Sequence, residues 1–302
     1  MDRTRIIRDR DSLVERYGAW TMHSIHLGDG VYTTAWVPRV DRRLRRCLQV
    51  AADMIFEPPL DKVRVLDLAC LEGQFGIEFA LHGSDVVAIE GREVHVAKAQ
   101  FAKEVLSLDN FEVVREDVRL LSRERFGSYD VILALGILYH LNAPDVMEFA
   151  EKLYESCNRI TIIDTHFSLE PNDSYTWKGN VYCGTYCEEH RPDSTEQEQL
   201  DAIWNSMDNL RSFWLTRASL CNLLRHVGFT SVYECLNPYE CYDTDDRHVI
   251  FKDRAVFVAV KGKKQHVISS PNTHTSPEID RPERPEYGEA VRLADGTFGW
   301  SR

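Results

Sequence analysis

No stretch of this 302-residue sequence holds the roughly 18 consecutive apolar residues that a membrane-spanning helix needs. The opening segment, MDRTRIIRDRDSLVERYG, is charged throughout and lacks the apolar centre of a secretion signal, so a cytoplasmic protein is the expectation. Basic residues are scarce. Lys and Arg number 36 against 48 Asp and Glu, and the net charge of −12 argues against a nucleic-acid partner, whose binding draws on cationic side chains. One basic run, RVDRRLRR at 39–46, stands out; such runs are most often a solvated helix face, with phosphate binding the alternative. The eight cysteines are few for the length, and Cys70, Cys157 and Cys221 sit in apolar stretches, as reduced core thiols do. The spacing Cys183-x3-Cys187-x2-His190 is loosely zinc-like but has no matched second pair. No internal repeat is visible.

What is present is enough apolar residue, 43%, for one large core. From 62 to 164 short apolar runs alternate with amphipathic ones. Strands are predicted at Val63–Leu68, Asp85–Glu90, Phe111–Arg115, Tyr129–Leu135 and Arg159–Asp164. Between them Val94, Ala97, Phe101 and Val105, and then Val146, Phe149, Leu153 and Cys157, recur at helical spacing, with Pro144 in the first turn of the later helix. Strands apolar along their length and separated by helices form a parallel sheet covered on both faces. The fold class is therefore α/β, doubly wound. Residues 165–214 lose this rhythm and read as an irregular, aromatic-rich insertion. A helix from Thr216 to the C-cap Gly228 and strands near Thr230–Leu236 and Arg254–Val260 follow. Residues 1–61 read as a helical cap, 62–261 as the main domain with 165–214 as its lid, and 262–302 as an extended arm.

A parallel sheet binds ligands at the carboxyl ends of its strands. Here those ends carry Asp67, Glu90 with Gly91, Glu116-Asp117-Val118, and Leu135-Gly136. Glu90 stands 23 residues after Asp67, near the offset at which an acid meets ribose hydroxyls. The first turn is poor in glycine. A D-x-G-x-G-x-G pattern would place glycine at 69, 71 and 73, where Ala69, Leu71 and Gly73 stand. Ala69 is a small change if its φ stays negative, and Leu71 argues against a positive φ at that position. With no Lys or Arg beside the turn, a small zwitterion suits it better than a pyrophosphate.

In order, VLDLACLEG, VVAIEGRE, VVREDVRLL and YDVILALGILYHL resemble the motifs of class I S-adenosylmethionine-dependent methyltransferases, over roughly residues 60–165. The resemblance implies a seven-stranded, mostly parallel Rossmann-like sheet of order 3-2-1-4-5-7-6, with the seventh strand antiparallel. It implies S-adenosylmethionine as cofactor, with Asp67, Ala69 and Gly73 at its methionine end and Glu90, followed by Gly91, on the ribose. Asp117 and Val118 would meet the adenine, and the Leu135 carbonyl would face the cofactor's ammonium.

The acceptor is expected to be a small molecule, as in natural-product biosynthesis, bound beside Gly136–His140 and roofed by 18–36 and 165–214. For a hydroxyl or amine, His166 or His140 would take the proton. For an alkene carbon, as in a prenyl diphosphate, Tyr139, Tyr186, Trp204 and Trp214 would shield a carbocation and Glu170 would remove a proton. Arg211 and Arg217 would then hold the diphosphate, and Asp164, His166 and Glu170 could gather a Mg²⁺. The run GILYHL is also similar to one in enzymes acting on the tRNA wobble uridine, a reading the acidic charge disfavours. A non-catalytic relative with a vestigial site, and pairing with a second copy of the chain, stay open.

Overall fold

The computed structural model describes residues 2–235 and 253–265, together with 290–292 and 298–300. The chain opens with α1 (Arg3–Tyr17), the hairpin β1 (His26–Gly28) and β2 (Val31–Tyr32), and α2 (Pro38–Met54). Four βα repeats and a fifth strand follow: β3 (Arg64–Leu68), α3 (Gln74–Leu81), β4 (Asp85–Glu90), α4 (Glu93–Leu106), β5 (Phe111–Arg115), α5 (Arg123–Phe126), β6 (Tyr129–Leu135), α6 (Asp145–Ser156) and β7 (Cys157–His166). An insertion comprises β8 (Asp173–Trp177), β9 (Asn180–Glu188), α7 (Glu196–Asp201) and β10 (Arg211–Leu215). Then come α8 (Arg217–His226), β11 (Ser231–Cys235) and β12 (Arg254–Val260).

The main sheet runs β5-β4-β3-β6-β7-β12-β11, with β12 antiparallel to both neighbours. This is the order the motifs implied. Strand order reverses between β3 and β6, which pair in parallel from Val65↔Val131 to Leu68↔Ala134. The crevice outside their carboxyl ends is where such sheets bind ligands. Alternate side chains of the strands feed two buried clusters, one on each face. Val65, Ala88 and Val131 pack with α2, α3 and α4, whereas Leu66, Ile132 and Ile163 pack with α6 and α8.

The segment 165–214 is ordered rather than irregular. β8, β9 and β10 form an antiparallel sheet, with Phe213 opposite Tyr186 and Tyr175 opposite Tyr182. β8 alternates over only five residues, Tyr175 and Trp177 partly buried between exposed Ser174 and Thr176, and β9 has no regular alternation, so the period is too short to mark the strands in the sequence. The cap likewise contains the β1–β2 hairpin where only a loop was expected. A buried ion pair fastens the cap: Glu72 accepts from Lys98 Nζ at 3.2 Å and from the Thr21 amide and hydroxyl at 2.8 and 2.9 Å, while Lys98 also donates to the Ala19 carbonyl at 2.6 Å. Each charge is thus paired and further hydrogen-bonded, the condition under which burial is tolerated. Of the expected C-terminal arm, 262–265 follow β12 and Ala290–Arg292 pairs antiparallel with Phe298–Trp300; its other residues lie outside the described ones.

Candidate active site

The turn after β3 takes the glycine conformation without the glycines. Ala69 has φ 52°, Leu71 φ 53° and Gly73 φ 82°. The expectation of a negative φ at Ala69 and an ordinary backbone at Leu71 is therefore corrected. The left-handed region costs an L-residue about 1–2 kcal/mol, and hydrogen bonds hold the turn there. Glu90 Oε2 accepts from the Leu71 amide at 3.0 Å, and Cys70 N donates to the Ile89 carbonyl at 3.2 Å. Ala69→Gly should raise the thermal midpoint, by about 1 kcal/mol or less once the unfolded chain's extra entropy is counted. A fall in the midpoint measured by calorimetry would contradict this.

A cavity of about 300 Å³ opens at these strand ends. Asp67, Ala69, Glu90 and Gly91 line one part of it, and Asp117, Val118 and Leu135 another. Gly73 lies outside, as the left-handed N-cap of α3. Glu90 is buried, and its second oxygen accepts the Arg92 amide at 2.8 Å. A carboxylate offers about four acceptor positions, so each oxygen keeps one for a ligand hydroxyl. Asp117 accepts from the Arg119 amide at 2.8 Å and from its guanidinium at 2.8 and 3.1 Å. Burial alone would raise the Asp117 pKa; these bonds hold it below the usual carboxylate range.

Asp67 differs. Burial pushes its carboxyl up to about 7, the Gly76 amide bonded at 2.9 Å pulls it down, and the Glu90 charge pushes it up again. Its folded pKa lies above that of the unfolded chain, about 3.8. The protonated form therefore favours folding, an advantage complete below pH 4 and lost as pH rises through 7. Asp67→Asn, which can still accept the Gly76 amide, should gain stability relative to the parent chain over that window, by a few kcal/mol at most. Thermal melts at pH 5 and pH 8 check it; a difference that does not grow with pH would refute the assignment.

Residues 203–209 roof the cavity. The Arg92 guanidinium donates to five backbone carbonyls beside this roof, those of Gln199, Leu200, Ala202, Asn205 and Ser206, at 3.1–3.3 Å. Met207 sits against Gly91, where a Cβ would strike its sulfur. Arg119 joins Asp117 to Asp208 at 2.6 Å. Arg92→Met should speed chymotryptic cleavage after Trp204 by an order of magnitude while leaving the melt of the main sheet in place. Unchanged cleavage would show that the roof is held by its other contacts.

At the far end the cavity is lined by Gly136, Tyr139 and His140. His140 Nδ1 lies 3.1 Å from both carboxylate oxygens of Glu189, a residue the sequence reading missed. Burial would raise the Glu189 pKa, but His140 and the Ser206 amide, at 2.8 Å, hold it below its ordinary value. Glu189 is thus ionised and can only accept, which places a proton on Nδ1; in the neutral ring the lone pair then lies on Nε2. Asn209 Nδ2 fixes the backbone by donating to the His140 carbonyl at 2.8 Å. The other two candidate bases stand elsewhere. His166 is stacked on Trp214, centroids 5.0 Å apart, behind Tyr139, and its Nδ1 faces Asp253 at 3.2 Å. Glu170 is exposed and does not line the cavity.

The aromatic candidates also divide. Tyr139 and Trp204 line the cavity, whereas Trp214 and Tyr186 do not. Trp214 supports Tyr139 instead, its indole donating to the Tyr139 carbonyl at 2.9 Å. Arg211 lies over the Tyr186 ring, and Arg217 pairs with Glu234 at 3.2 Å; neither lines the cavity as a diphosphate holder would. The Mg²⁺ option fails on its donors. Asp164 gives one oxygen to Arg43 at 2.7 Å and the other to Arg254 at 2.6 Å, and Glu170 is remote from the cavity. Among the described residues no group of three His, Cys, Asp or Glu side chains is placed to hold a metal, the 183–190 spacing included.

Residues 65–159 match the family described as a methyltransferase domain. Together with the sheet order, this shows that residues 65–159 carry a methyltransferase domain within a seven-stranded, mostly parallel α/β sheet. Among solved structures it is similar to the N-terminal domain of EvdMO1 in the presence of SAH and D-fucose, at 22% identity and TM-score 0.64, over 86% of this chain and 97% of that one. The same domain with SAH bound matches at 21% identity and TM-score 0.64, over 86% of this chain and 97% of that one. EvdMO1 itself matches at 20% identity and TM-score 0.55, over 86% of this chain and 48% of that one, so the chain spans about half its length. No curated protein matches the sequence. Among the described residues no helix is long and apolar enough to cross a membrane.

Proposed function

We propose that this protein methylates a hydroxyl group of a small molecule, with His140 as general base and Glu189 as the residue that orients it. One observation carries the reading: the bidentate contact of Glu189 with His140 Nδ1, at the end of the cavity where Leu135 and Gly136 leave β6. The residues present fit S-adenosylmethionine. Glu90 keeps acceptor positions for the ribose, Asp117 and Val118 stand where the adenine would lie, and Asp67 and Leu135 offer oxygens at the methionine end. When bound, the cofactor supplies an electrophilic methyl carbon on a sulfonium. His140 would take the acceptor's hydroxyl proton at Nε2 as that oxygen accepted the methyl group, the carbon–sulfur pair remaining with the departing thioether. The resulting imidazolium is stabilised by the Glu189 carboxylate and passes its proton to water. The roof at 203–209 excludes competing water, and the rest of the catalysis is positioning.

The presence of D-fucose in the EvdMO1 domain structure supports a polyhydroxylated acceptor. Carbon methylation of a prenyl diphosphate is not favoured, because its base, Glu170, and its phosphate holders, Arg211 and Arg217, lie outside the cavity. A screen of sugars and phenols with isotopically labelled S-adenosylmethionine tests the reading. Label on oxygen is the expected outcome, and label on carbon would replace it.

A further inference from the structure

The acceptor end of the cavity carries more positive charge than its structural contacts use. Arg43, from the basic run that opens α2, and Arg254, from the start of β12, both line it, with side chains only 12% and 16% exposed. Between them stands one carboxylate, Asp164, which gives each arginine a single oxygen. Arg254 is otherwise occupied: Nη1 lies 3.2 Å from His166 Nε2, and the Tyr139 hydroxyl is a further hydrogen-bond partner. Arg43 is not. Its Nε is bound to Asp164, and among the described residues nothing accepts from its two terminal nitrogens.

The nearby groups do not balance the excess. His23, which also lines the cavity, is pushed down to about 3 by burial, by Arg43 and by His95, so it is neutral and adds no charge of its own. Asp67 is lifted to about 7, so it carries less than a full charge near neutral pH. Two guanidiniums thus share one full carboxylate at the cavity wall, within a chain whose net charge is −12. An arginine left with unpaired donors in such a site is a bidentate receptor for a planar anion. The second guanidinium lies beside Gly136, where a Cβ would come within 3.8 Å of Arg254 Nη2 and 3.6 Å of the Tyr139 hydroxyl.

We propose that the methyl acceptor carries a carboxylate, held by Arg43 with Arg254 behind it, so that a hydroxyl elsewhere on the molecule faces His140. This rests on the methyl-transfer reading above and narrows its substrate class to hydroxy acids such as uronates or hydroxybenzoates.

The test uses the full chain loaded with S-adenosylhomocysteine and two matched pairs of probes: D-galacturonate against D-galactose, and 4-hydroxybenzoate against 4-hydroxybenzamide. Calorimetry should show at least one carboxylate bound ten times or more tightly than its neutral partner. Arg43→Gln should abolish the preference and leave S-adenosylhomocysteine affinity within twofold, while Arg43→Lys, which keeps the charge and serves as the folding control, should retain part of it. Equal binding within each pair, or binding of no probe, overturns the proposal. So does a tenfold loss of S-adenosylhomocysteine affinity in Arg43→Gln, which would make Arg43 the partner of the cofactor's own carboxylate. Failure of the unaltered chain to bind S-adenosylhomocysteine is read separately: it overturns the methyl-transfer reading, and the acceptor proposal falls with it.

Discussion

His140→Ala should lower the turnover number by 10²- to 10⁴-fold, the usual contribution of a positioned general base, while S-adenosylhomocysteine binds as before. Nothing places His140 on the nucleoside: its ring faces Glu189 on one side and the Tyr139 end of the cavity on the other. The paired variant Glu189→Gln should lose about tenfold to a hundredfold. An amide can still contact Nδ1, but it no longer stabilises the imidazolium and no longer compels the proton onto Nδ1. Because the two side chains act as one unit, the double variant should be little slower than His140→Ala alone. Steady-state kinetics on the three variants decides the matter. Additive losses, or an unchanged rate in His140→Ala, would remove the pair from the chemistry.

Glu90→Ala should weaken cofactor binding by about a hundredfold and destabilise the protein as well. Its carboxylate serves two masters. It stands where the ribose hydroxyls would lie, and it accepts the Leu71 and Arg92 amides at 3.0 and 2.8 Å. Loss of hydrogen bonds to a charged acceptor costs about 1.5–3 kcal/mol, and each orphaned buried amide about 1–3 kcal/mol. The Leu71 bond matters most, because it holds a residue in the left-handed region that leucine disfavours. Glu90→Gln, with one amide oxygen remaining, should recover part of the stability but little of the affinity. Calorimetric titration and thermal melts on both variants separate the two roles. Full affinity in Glu90→Ala would move the ribose elsewhere.

Much of the frame was legible in the sequence because the strands are buried on both faces and read as plain apolar runs. Asp85–Glu90, Phe111–Arg115, Tyr129–Leu135 and Arg254–Val260 fall where the pattern placed them. What failed were places where side chains say little about the backbone. Leu71 reads as a residue that excludes positive φ, yet a carboxylate 19 positions later supplies the bond that fixes it there. In the insertion the period-two signal is confined to the five residues of β8 and is absent from β9.

The site followed the same division. Acids at strand ends lie at fixed positions relative to the apolar runs, so Asp67, Glu90 and Asp117 could be singled out. Glu189 could not. It stands beside Glu188 at the end of β9, and only pairing with β10 and the Asn209 contact bring it to His140. Arg43 was visible only as one of a basic run, with no local feature to separate it from Arg42 or Arg45. His166 and Glu170 were chosen because they follow a strand end. β7 continues to His166, past the expected Asp164, and the chain then turns away under Trp214.

The most direct measurement is calorimetric titration of the unaltered chain with S-adenosylhomocysteine at pH 7, in two buffers of different ionisation enthalpy. One site per chain is expected, together with a buffer-dependent heat as the ligand's amino-acid ammonium lowers the raised pKa of Asp67 and displaces its proton. Absence of binding in both buffers would contradict the central claim, for it would mean that the cavity at the ends of β3, β4 and β6 is not a cofactor site.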